Sequence, residues 1–249
     1  MCRFPLSLYI VINSTLTLLM KAVAIPTFPE ANHSIVKALF HHSDQELLTL
    51  FQRYPDSGQF FTALFCRYSP IVYSLISRSA RSPVQAEYLL ALIWRHVFHE
   101  LAGVDLRAFS QGATFQTWLL AVTASGLNDA ELPPVEEIHY DIRSASPPFW
   151  CYLDRALEQL PTATRLMIVM AQTFHWSETR IAAYLQAEGE EITPEEVKVH
   201  LQDGYQALEK LLPEDIRTIY LGGNSIEQRS VSESETDALD QNLEDLEFF

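Results

Sequence analysis

The chain has 249 residues, 48% of them hydrophobic, enough to bury one large core or two small ones. A net charge of −15 argues against a free-standing nucleic-acid binder, because such proteins use basic side chains to replace the counterions on phosphates. The three cysteines, Cys2, Cys66 and Cys151, lie far apart without a Cys-x-x-Cys pair. They offer no disulfide framework or cysteine zinc site and suit a reducing, cytoplasmic compartment.

Residues 1–24, MCRFPLSLYIVINSTLTLLMKAVA, follow signal-peptide grammar: an early arginine, an apolar run and a small-residue Ala-Val-Ala. The run from Phe4 to Leu19 falls short of the ~20 residues of a membrane span and includes Pro5 and Asn13. The favoured expectation is an over-extended reading frame that truly starts at Met20, with residues 1–33 as an N-terminal extension and no membrane partner.

Helical spacing dominates from residue 43 onward. Ser43 and Glu46 make a capping box, after which Leu47, Leu48, Leu50 and Phe51 share one face up to Tyr54-Pro55. SGQFFTALFCRYSPIVYSLISRSA places Phe60, Leu64, Phe65, Tyr68, Val72, Leu75 and Ile76 on a stripe that Pro70 is expected to bend or reset. A third helix starts after Ser82 with Pro83 at its first position and runs to about Leu101, its apolar positions being Ala86, Leu89, Leu90, Ile93, Trp94, Val97 and Leu101. A fourth covers about Thr114 to Leu127, with Phe115, Trp118, Leu119 and Val122 inward. Residues 34–128 therefore form one helical domain, nearly neutral with seven basic and six acidic residues.

Two proline pairs and no periodicity mark 129–149 as a linker. A second helical domain occupies 150–221: WCYLDRALEQL, TATRLMIVMAQTF, then SETRIAAYLQAEGEEITPEEVKVHL and its continuation to Leu212. Ser177 can cap the first helix of that last stretch, and Thr193-Pro194-Glu195-Glu196 is a second capping box with proline at the first helical position. Two helices joined by a turn is the arrangement of a helix-turn-helix. Residues 222–249 carry eight acidic residues and one basic one and are expected to be a disordered tail. The fold class is all-α: two small helical domains joined by a Pro-rich linker, the second a helix-turn-helix.

Catalytic and metal motifs are lacking. His96 and His99 have no third ligand placed near them, His41 and His42 point to different faces, and Glu190-Glu191 reads as a solvated turn. With no nucleophile elbow, phosphate-cradling glycine loop or HExxH, no enzyme activity and no cofactor are expected.

The ordered segments resemble bacterial RNA polymerase sigma factors of the extracytoplasmic-function type, in the sigma-seventy superfamily. The resemblance rests on Ala156-Leu157, Leu160-Pro161, Arg165, Ile181-Ala182, Val197-Lys198 and Leu208 for the promoter-reading domain. FFTALFCRYSPIVYSLISR, AEYLLALIWRHVF and FQTWLLAV supply its companion domain. Residues 43–221, nearly three quarters of the chain, are covered.

The resemblance implies transcription initiation in the cytoplasm, with the polymerase clamp and promoter DNA as partners and an anti-sigma or other regulatory protein as a further one. Glu87, Tyr88, Ala91 and Trp94 fall at the clamp-binding positions; Tyr88 and Ala91 replace the usual acidic residue and glutamine. Arg107, Phe109 and Trp118 fall where the family melts the minus-ten element, succeeded here by a helix without cations. Glu195, Lys198, His200 and Gln202 fall on the helix that reads the minus-thirty-five element, where His200 and Asp203 replace arginines. Six glutamates against one arginine and one lysine in 177–201 remove most phosphate contacts. DNA affinity would have to come from polymerase, or else the protein is a sigma-like adaptor working through protein contacts. The acidic tail is expected either to solubilise the chain or to mimic phosphates on Arg67, Arg78, Arg81, Arg95 and Arg107.

Overall fold

The computed structural model describes residues 25–110, 114–130 and 132–222, apart from the side chains of Ala108 and Ser110. Among these residues every regular element is helical and none is a strand. The expectations for the N-terminal signal-like segment and the acidic tail lie outside the described residues.

A 3-10 turn, Pro29–Asn32, and helix α1, Ser34–Lys37, precede the first long helices. Both fall before the first predicted element, and they bury Glu30, Val36 and, just after, Leu39. Helix α2, Asp44–Arg53, begins where the capping box requires: Ser43 and Glu46 exchange side-chain and backbone hydrogen bonds at 2.7 and 3.3 Å. Arg67 pairs with Asp44 at 2.5 Å, and Tyr68 also donates to Asp44, tying α2 to the next helix.

Helix α3, Gln59–Ser79, runs through Pro70 without restarting there. The missing N–H removes one backbone hydrogen bond. Residues Phe60–Tyr68 and Val72–Ile76 on either side nevertheless bury one continuous stripe, and that packing holds the helix together. The same helix is long and apolar enough to cross a membrane, but its apolar side chains form the core. Helix α4, Pro83–Gly103, starts with Ser82 capping Gln85 N. After helix α5, Arg107–Ser110, helix α6, Phe115–Asp129, begins at Thr114 and lies across α3 and α4. Phe61, Leu64, Phe65, Leu90, Trp94, Val97, Leu101 and Leu119 are the centre of this layer.

The segment expected as a linker is packed. Ile138 and Ile142 are buried, Tyr140 OH donates to Ala145 O at 2.6 Å, and a 3-10 turn spans Val135–Glu137. Pro147 and Pro148, read as linker residues, instead open helix α7, Pro147–Glu158, because proline's fixed φ suits the first helical turn. Helix α7 packs against α4 and α3 as well as against the later helices. One continuous cluster of buried residues therefore runs from Val36 to Ile216.

Helices α8, Thr162–Thr173, α9, Glu178–Ala187, and α10, Pro194–Leu211, pack on one another. A last helix, α11, Glu214–Tyr220, returns to the first layer. There Asp215 Oδ2 accepts from Gln59 N and Ser57 Oγ, both at 2.8 Å, and so caps the start of α3 from a distant point in the sequence. Ile216, fully buried, presses on Gly58, where an added Cβ would stand 2.2 Å from Ile216 Cγ1 and 2.9 Å from Tyr152 Cε2. Arg155 donates to Pro55 O at 2.7 Å and pairs with Asp56 at 3.0 Å.

Candidate nucleic-acid and polymerase interface

The α9–α10 pair is built from local signals. Ser177 Oγ accepts from Arg180 N at the start of α9. At its end Gly189 takes φ +97, and the bonds Gly189 N to Gln186 O and Glu190 N to Leu185 O close a Schellman motif. Thr193 and Glu196 then cap α10 reciprocally, at 2.8 and 3.2 Å, with Pro194 at the first position. The Glu196 backbone partner at Thr193 holds its carboxyl below the usual range.

Ile181, Ala182 and Leu185 of α9 face Val197 and Leu201 of α10 and Met167, Ile168 and Met170 of α8, all buried. Gly204 lets α10 approach α8: a Cβ there would sit 2.7 Å from Thr164 Cγ2 and 2.9 Å from Ile168 Cδ1. The opposite face of α10 is solvent-exposed and carries Glu195, Lys198, Val199, His200, Gln202 and Asp203, with Val199 56% exposed. The four residues expected to meet DNA on this helix thus share an accessible surface, a mixed polar one with a single cation.

A neighbouring patch was not foreseen. Phe174 is 58% exposed, Trp176 lies 5.8 Å from it and 5.7 Å from Tyr184, and Arg180 sits 4.4 Å over the Trp176 ring. His175 holds the turn between α8 and α9 with φ 52. The available signal was Phe-His-Trp-Ser just outside a helix stripe, with no inward position to absorb the aromatics.

The residues expected to melt DNA divide. Arg107 is exposed, whereas Phe109 and Trp118 are half-buried around Phe115, 6.3 and 5.7 Å from its ring. Phe115 in turn packs on Tyr68 at 5.1 Å. Their rings are largely spent on α3 and α6, and Arg107 stands alone as the solvent-facing member.

The clamp-binding set needs the largest correction. Trp94 has no exposed surface: it lies edge-on to Phe61 and Phe65, 5.8 and 5.2 Å away, in the middle of the first layer. Ala91 is buried as well. Neither can touch a partner in this arrangement: the Trp94 ring packs against α3, and α7 packs along α4 as well. Arg95 pairs with Asp154 at 2.7 Å and lies over Trp150, and Cys151 Sγ rests 4.0 Å from Trp94 O. Tyr88 is half-buried against Tyr140, 6.4 Å away. Desolvation, and then the charge of Asp141, raise the Glu87 carboxyl above its ordinary range. Only Glu87 and Tyr88 keep part of their surface in solvent.

Arg67 and Arg95 are held by Asp44 and Asp154, which leaves Arg78, Arg81 and Arg107 as the solvent-exposed cations of the five proposed for the tail. Cys66 and Cys151 are free thiols, and burial pushes both well above the ordinary thiol range. Among the described residues no three His, Cys, Asp or Glu side chains gather where a metal could bind. No family model matches the chain, and neither the curated proteins nor the solved structures give a significant match.

Proposed function

We propose that this protein is a sigma-type factor: it binds core RNA polymerase and helps select where transcription starts, without enzymatic activity of its own. The observation that carries this is the α9–α10 pair, capped at both starts, packed on α8 and presenting the exposed polar face of α10 to a groove-sized partner. The order of the helices before it, and the sigma-like residues on them, support the same reading. Work with polymerase and DNA implies a cytoplasmic protein.

In this reading polymerase supplies the positive field. Lys198 is the one cation in the first half of the exposed α10 face, and each lost phosphate contact weakens affinity and flattens its salt dependence. Because α7 covers α4, the clamp is met through Glu87 and Tyr88, or after α7 and residues 138–150 move aside.

A second reading has its own support. The Phe174–Trp176–Tyr184 patch with Arg180 is the surface of a protein-binding module, rich in aromatics and arginine. It fits a sigma-like adaptor that contacts polymerase or a regulator such as an anti-sigma protein and does not read DNA. Fluorescence anisotropy on labelled promoter fragments, with protein alone, core polymerase alone and both together, separates the two. A sigma-type factor gives sequence-dependent binding only with both present; an adaptor co-elutes with core and adds no sequence preference.

A further inference from the structure

A cavity of about 610 Å³ opens where three segments meet: the strap from Thr27 to His33, the connector from Ile142 to Phe149, and the end of α11 from Ile219 to Leu221. That volume is in the range of small-molecule sites, about 300–1,000 Å³. Phe28, Ile142, Phe149 and Ile219 make apolar walls. Into these walls is set a carboxylate. Glu30 is 3% exposed; its Oε1 accepts from Tyr220 OH at 3.3 Å, and among the described residues its Oε2 has no well-formed partner. Ser146, also buried and lining the cavity, stands close enough for its hydroxyl to interact with that carboxyl, yet among the described residues its Oγ makes no well-formed hydrogen bond. No ion pair among the described residues involves Glu30. The nearest cation on the cavity wall, Arg143, reaches outward to Asp141 at 3.2 Å. Burying a carboxylate with hydroxyl neighbours but no counter-charge is costly, and a charge-assisted hydrogen bond from a cation relieves it.

We propose that this cavity binds a small primary amine with an aromatic or aliphatic body. The ammonium donates to Glu30 Oε2 and Ser146 Oγ, two buried acceptors on the cavity wall without a well-formed partner among the described residues. The apolar body fills the space beside Phe28 and Phe149, whose ring already lies 5.4 Å from Tyr220. A bound amine bridges the strap, the connector and α11, so its occupancy sets how firmly residues 27–33 and 219–221 are held together. This site stands independently of any role in transcription.

The test is isothermal titration calorimetry on the full chain with three probes of one shape: 2-phenylethylamine, 2-phenylethanol and 3-phenylpropionate. The amine is expected to bind one per chain, at least about tenfold more tightly than either other probe. Glu30→Gln keeps the shape and removes the charge; it should weaken the amine about tenfold or more while leaving the circular dichroism spectrum unchanged. Ile219→Trp fills the cavity and should abolish binding, and if that variant fails to fold, Glu30→Gln still decides. Absence of amine binding at millimolar concentration overturns the proposal. So does equal binding of the alcohol, or an affinity that Glu30→Gln leaves intact.

Discussion

Gly58→Ala is the sharpest probe of how α11 is joined to the start of α3. Gly58 stands at the start of α3 with φ −84 and ψ −16, an ordinary helical conformation, so alanine adds no backbone strain. What it adds is a methyl group 2.2 and 2.3 Å from Ile216 Cγ1 and Cδ1 and 2.9 Å from Tyr152, inside van der Waals contact on each count. Ile216 is fully buried and cannot swing into solvent. Overpacking of this kind destabilises by about 1–3 kcal/mol. A loss of about 2 kcal/mol corresponds to a fall of about 4–8 °C in Tm for a chain of this size. Urea denaturation read by circular dichroism gives the free energy, and hydrogen exchange locates it: α11 amides should lose protection first. Ile216→Ala alone should cost about 2–5 kcal/mol. The double variant should be less destabilised than the sum of the singles, because Ile216→Ala vacates the space the new methyl needs. An unchanged midpoint for Gly58→Ala, or strict additivity in the double variant, would refute the packing of α11 on α3.

Trp94→Ala should destabilise by about 3–5 kcal/mol in denaturant titration, the response of a core residue; weaker polymerase binding with unchanged stability would return Trp94 to the surface. The Glu30 carboxyl is shifted upward, opposite to Glu46 and Glu196, because burial raises it from the ordinary 4.5 and outweighs the nearby backbone and hydroxyl donors. Its contribution is full below that value and is lost as pH rises through its folded value, so Glu30→Gln should raise Tm at neutral pH and leave it unchanged near pH 4; a pH-independent difference would contradict this. Glu46 and Glu196 are held below 4.5 by the backbone N–H groups of Ser43 and Thr193, so their capping contribution persists above that pH and is lost as pH falls further. Carboxyl-carbon NMR titration should show both below 4.5, and titration at or above it would mean the capping boxes are open in solution. Lys198→Ala should lower promoter affinity of the polymerase complex and reduce the salt slope by about one; an unaltered slope would remove α10 from the DNA.

Where structure follows from neighbouring residues, the sequence was sufficient. Ser43 with Glu46 and Thr193 with Glu196 define helix starts within four positions, and both boxes are present. The stripe Ala86, Leu89, Leu90, Ile93, Trp94, Val97 and Leu101 is buried throughout, and it already placed Trp94 inside. The assignment of Trp94 and Ala91 to a partner surface came from the resemblance and ran against that stripe; what periodicity could not show is the packing of α7 on α4, some sixty positions away. Pro147-Pro148 gave the wrong signal for a related reason. Proline pairs break helices from within but favour the first turn, and only the burial of both residues shows which applies. Helix α11 and the Glu30 strap are short, and their order comes from contacts with Gly58 and Tyr220 rather than from local propensity.

Run-off transcription bears most directly on the proposed role: core polymerase on a library of promoter-bearing templates, with and without the purified protein. A sigma-type factor yields transcripts from a defined start that core alone does not make, and Val197→Asp, which breaks the α9–α10 packing, abolishes them. Co-elution with core and no start at any template would contradict that role and leave the adaptor standing.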